Sequence, residues 1–451
     1  MGRFRTVLAL LTMLACLGVG QPSSFEPARS AKKQIRWSKK SITIALSSSL
    51  TSPNTSLKAE SDVVGAIHRA LETWSIAAEI TFVEVPSRAQ SISAPGHGDG
   101  VNLITIAATA ENLAIFGDEG SPARTRVFYD AATGEISEAD IVINPYPFSA
   151  SGAPLEFSTD GTPGTYDLQS TLTHEIGHLL GLNHSRVIGA TMNATQALNG
   201  VFGLPAISER TLSEADRAAV KSIYGSPGDT GSIEGRILNN QQGDLVPVGR
   251  AHVWIEDAVS GRVMASGVTN ANGAFRIGGI VPGYYRVMTE SLDFDDDQSL
   301  NLDVDRRSAL RGFRSLEIAS ELRVAANKSA LANYILVPPQ NSPAILAPAF
   351  VGVNGELSTV PVSATPGTKL TVFVSGNAVD QVPGTGLLVT SPYLTVNPAS
   401  LRAQQFGRVP VISFDVTTAM DAPPGEYSIR LQLNSGEIAY LVGALIVGLK
   451  Q

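Results

Sequence analysis

The sequence predicts a multidomain protein: an N-terminal α/β (α+β) domain followed by two all-β sandwich domains. Three observations carry that expectation. The chain has 451 residues, which at about 150 residues per domain suggests roughly three. Up to Gly225 helical and strand periodicities interleave, the mark of an α/β or α+β unit. Beyond it only short alternating runs remain, broken by Gly, Asn and Pro, an all-β signal. The totals of Gly 42 and Pro 26 fit that texture of turns and short strands.

In order along the chain, Arg3 and Arg5 precede an apolar run over residues 6–20. That pairing matches a secretory signal peptide over residues 1–20, and the run is too short for a membrane span. The expected location is secreted or extracellular. A second reading takes Met13-Leu14-Ala15-Cys16 as a lipoprotein box with Cys16 acylated, although Met and Leu fit its first two positions poorly. Residues 41–46 alternate β-branched and other residues and read as a strand. Residues 61–78 place Val64, Ile67, Leu71 and Trp74 at helical spacing. Residues 80–85, 101–107, 126–129 and 139–144 read as further strands. A Gly-, Pro- and Ser-rich loop over 145–165 leads to a helix with Asp167 as N-cap, ending near Leu180 where Gly181 can terminate it. A last helix over 213–224 opens on a Ser213-x-x-Asp216 capping pattern. The expected domains are residues 35–226, 229–337 and 344–451, the last two joined by the Pro-rich stretch at 337–343, read as a stiff linker.

Composition removes several classes of function. Lys+Arg 33 against Asp+Glu 41 gives a net charge of -8, and without basic runs no nucleic-acid partner is expected. One cysteine excludes a disulfide-stapled scaffold and a multi-cysteine zinc site. No later stretch is apolar for long enough to span a membrane as a helix.

One segment decides the chemistry: His174-Glu175-Ile176-Gly177-His178-Leu179-Leu180-Gly181-Leu182-Asn183-His184. Residues four apart on a helix differ by about 40° around its axis, so His174 and His178 share a face and can grip one metal ion. Zinc needs a third protein ligand and an open position, and Gly181 lets the backbone turn so that His184 returns to the site. Glu175, beside the first ligand, stands where a general base would reach a water without ligating the metal.

HExxHxxGxxH is the metzincin signature, and Ser185 after the third histidine resembles the matrixin branch, to which the matrix metalloproteinases belong. Met192, eight residues after His184, sits where a matrixin has its Met-turn. Trp74-Ser75, Ile80-Thr81-Phe82, residues 138–144, Leu212-Ser213-Glu214-Ala215-Asp216 and Ile223-Tyr224-Gly225 look like matrixin landmarks in matrixin order. The resemblance covers about residues 35 to 225 and is to secreted bacterial matrixin-like proteins. It implies a zincin-like catalytic domain with a mixed twisted sheet and an active-site helix. It also implies a secreted zinc endopeptidase acting on protein or peptide substrates, with Zn2+ on His174, His178 and His184, Glu175 as base and Met192 as the floor. The cysteine that keeps animal matrixins latent has no counterpart after residue 16. His97-Gly98-Asp99 is similar to part of the family's structural-zinc loop, but His68 and His252 lie in other elements, so His97 reads as a loop residue.

Residues 231–289 resemble the carboxypeptidase regulatory-like β-sandwich, and residues 344–451 an immunoglobulin-like sandwich. Asp293, Asp295, Asp296 and Asp297 crowd one stretch, which reads as a solvated acidic loop or as a Ca2+ site. Two such modules also suit a different function: a cell-surface binding or adhesive protein with a vestigial metalloprotease domain, or modules that bind a surface or matrix ligand for the protease.

Overall fold

The first sheet is built from β1 (Ser41–Ser47), β2 (Thr81–Ser87), β3 (Leu103–Thr105), β4 (Ala123–Tyr129) and β5 (Ile136–Ile143), in the order β2-β1-β3-β5-β4. All neighbours are parallel except β4, which runs antiparallel to β5 at the edge. The computed structural model describes residues 34–116, 120–149, 152–226, 228–292, 312–406 and 409–448. Residues 1–20, read as a signal peptide, Cys16 and the Asp293, Asp295, Asp296 and Asp297 stretch therefore lie outside the described residues.

Among the described residues, four α-helices accompany this sheet: α1 (Val63–Ala78), the short α2 (Ala110–Ala114), α3 (Leu168–Leu179) and α4 (Glu214–Tyr224). Ile67, Leu71 and Trp74 of α1, Leu172 and Ile176 of α3, and Ile44, Ile104 and Ile141 of the sheet share one buried cluster. The expected face of α1 needs one correction, because Val64 is 40% exposed. The buried stripe runs through Val63, Ile67, Ala70 and Trp74 instead, and at 100° per residue Val64 stands about 90° from its centre. Within the 145–165 loop lies a short strand that periodicity does not reveal, β6 (Phe157–Ser158), which pairs in parallel with β7 (Tyr166–Asp167) just after the loop.

The remainder is β-rich. A second group comprises β8 (Gly231–Gln241), β9 (Asp244–Pro247), β10 (Ala251–Asp257), β11 (Val263–Val268), β12 (Ala274–Ile280), β13 (Gly283–Ser291), β14 (Leu316–Val324), β15 (Ser329–Leu331) and β16 (Tyr334–Leu336). They form a sheet β11-β10-β13-β14 and another centred on β8, and Val253, Ile255 and Val287 of the first share a buried cluster with Ile233, Ile237 and Phe275 of the second. The 337–343 stretch, expected as a stiff linker, forms a turn, with Gln340 N donating to Val337 O at 2.8 Å and Gln340 Nε2 to Tyr334 Oη at 2.9 Å.

A third group comprises β17 (Ala347–Val353), β18 (Glu356–Ser358), β19 (Val362–Ala364), β20 (Lys369–Asn377), β21 (Leu387–Val389), β22 (Leu394–Phe406), β23 (Val409–Thr418), β24 (Gly425–Gln432) and β25 (Ile438–Val447). Its sheets β18-β17-β20-β23-β22 and β19-β25-β24-β21 enclose a cluster that includes Val374, Phe414, Tyr427 and Leu445. The three groups meet: Val187, Ala190 and Ala215 pack with Trp254, Val263 and Met288 of the second group and Tyr440 and Val442 of the third. No helix among the described residues is long and apolar enough to cross a membrane.

Candidate metal centre

Helix α3 starts where Asp167 accepts a hydrogen bond from Ser170 N at 2.9 Å, satisfying one orphan amide of its first turn. Asp167 is buried, and both its oxygens are held by Arg210, through Nε at 2.9 Å and through Nη2. The helix ends at Leu180. Gly181 takes φ +89°, donates to His178 O at 2.8 Å, and approaches Ile35 O so closely that a Cβ would lie 2.6 Å from it. Glycine is thus required twice over at the position that sends the chain back towards the helix.

That reversal brings His184 to His174 and His178. His178 Nε2 lies 3.2 Å from both His174 Nε2 and His184 Nε2, and the three donor atoms fall within 4.8 Å of one another. His174 Nδ1 meets Thr191 O at 2.8 Å and His178 Nδ1 meets Leu182 O at 2.8 Å. A carbonyl only accepts, so each Nδ1 carries the proton and each of these Nε2 atoms presents a bare lone pair. Lone pairs facing each other at that distance are not hydrogen bonds; a shared cation satisfies them. Tetrahedral zinc with Zn–N of about 2.0–2.1 Å sets its ligand nitrogens about 3.3 Å apart, so the donor set fits zinc. Burial, reinforced by the charge of His184, pushes the His174 imidazole down to about 3 and His178 well below the ordinary value. Both stay neutral, the form that ligates.

Glu175 is buried beside them, and Thr125 Oγ1 on edge strand β4 donates to its Oε2 at 2.5 Å and lies 3.1 Å from its backbone O. Burial pushes the Glu175 carboxyl up to about 7, opposed by the Thr125 bond and by the Arg124 charge. Thr125 escapes the sequence reading because Ala123-Arg124-Thr125 shows no apolar alternation, so the expected strand began only at Arg126.

Met192 is 2% exposed and lies against α3, where a Cβ on Gly177 would meet its Sδ at 2.2 Å. Its turn is fixed from below: Thr191 N and Met192 N donate to Asp216 Oδ2 and Oδ1 at 2.8 and 3.2 Å. Asp216 also forms the capping box of α4 with Ser213, the role its spacing predicts; its hold on the turn has no sequence signal. Ser185 N donates to Met192 O at 2.7 Å, tying the ligand loop to the turn. The other histidines are not part of the cluster: His68 pairs with Glu84 at 2.8 Å, His97 is an exposed loop residue, and His252, which lines a cavity together with His184 and Met192, meets Glu290 at 2.8 Å.

Residues 36–225 match the family model for Matrixin. Among curated proteins, the chain is 28% identical over 199 residues to Metalloendoproteinase 1-MMP of Arabidopsis thaliana, covering 42% of this chain and 44% of that protein. It is 26% identical over 169 residues to Metalloendoproteinase 1 of Glycine max, covering 36% and 45%. The chain thus spans less than half the length of these relatives. Among solved structures, a minor pilin of Streptococcus agalactiae aligns with 27% of this chain and 49% of its own at 11% identity and a TM-score of 0.16, too slight a likeness to identify a fold. Family match and site geometry fall on the same stretch of chain, and over residues 36–225 the chain resembles a matrixin.

Proposed function

We propose that this protein is an exported zinc endopeptidase in which His174, His178 and His184 hold the metal and Glu175 is the general base. The observation that carries the reading is the convergence of the three imidazoles, two with Nε2 lone pairs fixed by carbonyls behind them, beside a buried carboxylate. When bound, zinc supplies Lewis acidity towards water and towards a peptide carbonyl. Glu175 then accepts a proton from the attacking water while the water oxygen bonds to the carbonyl carbon. As the C–N bond breaks, the same carboxyl returns that proton to the leaving amine. Thr125 holds Oε2 and leaves Oε1 for the proton.

Export rests on Arg3, Arg5 and the apolar run that follows. The second and third groups of strands are read as two β-sandwich modules, residues 229–337 and 344–451, each with two sheets around one core. The test is hydrolysis of a quenched fluorescent peptide library by the purified protein, with and without chelator. Chelator-sensitive cleavage supports the reading. A folded, zinc-loaded chain that cleaves no peptide would contradict it and turn attention to binding by the β modules.

A further inference from the structure

The segment from Ser185 to Phe202 supplies the carbonyl that orients His174 and the methionine packed on α3, and much of what holds it lies outside the matrixin-like domain. Val187 and Ala190 are fully buried, in a cluster with Trp254, Val263 and Met288 of the second group of strands and Tyr440 and Val442 of the third. Ile188 N donates to Val442 O at 2.8 Å. Gly189 is pressed so closely that a Cβ would meet Glu426 Cγ at 2.8 Å and Gly443 O at 3.0 Å. From the other side, Gly443 has φ +68°, and a Cβ there would lie 2.6 Å from Val187 Cγ1. Farther on, Phe202 enters the core of the third group, with its N donating to Glu356 Oε2 at 2.9 Å.

Strand β10 shows how the second group takes part. Val253 and Ile255 point into its own core, whereas His252, Trp254 and Glu256 occupy the opposite face, as strand alternation requires. That face is also buried. His252 stacks on Trp254 at 5.2 Å, and Tyr440 of β25 meets Trp254 edge-on at 5.0 Å.

We infer that the two β units complete the metal centre: by clamping Val187 to Ala190 between Trp254, Tyr440 and Gly443, they position the Thr191 carbonyl and Met192 against the histidines. Gly189, Trp254, Tyr440 and Gly443 are positioning residues that touch neither metal nor substrate. The inference rests on the reading of the three histidines as zinc ligands. Orienting partners of this kind, when removed, weaken metal binding by about 10- to 100-fold.

The experiment uses the full chain and compares Gly189→Ala, Tyr440→Leu and Val374→Ala with the parent. Val374 is buried in the third group's core and is not a member of the cluster that joins Val187 and Ala190 to Trp254 and Tyr440. Zinc affinity is read by competition with a chromogenic chelator, and ligand geometry by the visible spectrum of the cobalt-substituted protein. Gly189→Ala and Tyr440→Leu should each weaken zinc by about tenfold or more and alter the cobalt bands. Val374→Ala should lower the melting temperature and move neither. Parent-like affinity and spectrum in both junction variants would overturn the inference, as would an equal loss in Val374→Ala. A parent that binds no zinc would instead overturn the ligand reading itself.

Discussion

Thr125 Oγ1 and Glu175 Oε2 lie 2.5 Å apart, joining the edge strand of the sheet to the carboxylate on the helix beneath it. The same hydroxyl lies 3.1 Å from the Glu175 carbonyl, so one side chain sits against both the carboxylate and its backbone. A hydrogen bond to a charged group is worth about 1.5–3 kcal/mol. Thr125→Val should therefore lower kcat/KM about tenfold or more through kcat, with zinc content unchanged, and Thr125→Ser should restore it. A Thr125→Val enzyme with parental kcat would show that the contact does not serve the base.

Met192 and Gly177 make a second such pair, thioether against bare helix backbone. Met192→Ala opens a cavity beneath the histidines and should cost about 2–5 kcal/mol in urea unfolding and weaken zinc binding. Met192→Leu, which nearly conserves volume, should cost less than about 1.5 kcal/mol. Equal unfolding midpoints for Met192→Ala and the parent would remove the floor role.

The junction makes stability depend on pH. Burial pushes the Glu256 carboxyl up to about 7, against the pull of Arg286 and Ser428, and burial with the nearby charges of Asp216 and Glu214 pushes Glu426 up to about 8. Both folded values lie above the ordinary 4.5, so between about 4.5 and 8 the folded chain keeps protons that the unfolded chain has released. Stability should accordingly fall as pH rises through that window and level off above it, by at most about 1.4 kcal/mol per pH unit for each group. Urea titrations at pH 5 and pH 8 check this, and Glu426→Gln should show a shallower fall. Because buried His174 and His178 act in the opposite sense below about pH 6.5, the difference between the two proteins is what decides, and an equal pH dependence in the parent and Glu426→Gln would contradict the account.

How much of this was legible in the sequence differs between elements for physical reasons. Helix α3 was legible because its cap, its histidine spacing and its terminating glycine are all local. Strand β14 was not: Leu316-Glu317-Ile318-Ala319-Ser320-Glu321-Leu322 is rich in helix formers, and pairing with β13 overrides that propensity. The three histidines and Glu175 follow from one motif, but Thr125, Asp216 and the Trp254–Tyr440 contact join residues far apart in the chain. No local pattern encodes such tertiary contacts.

The central claim is that His174, His178 and His184 hold zinc while Glu175 moves the proton. Zinc content and peptide hydrolysis measured on the same preparation of Glu175→Ala test it most directly. The account predicts one zinc per chain, as in the parent, and hydrolysis reduced by several orders of magnitude. Hydrolysis at the parental rate, or a variant that has lost its zinc, would contradict the assigned division of labour.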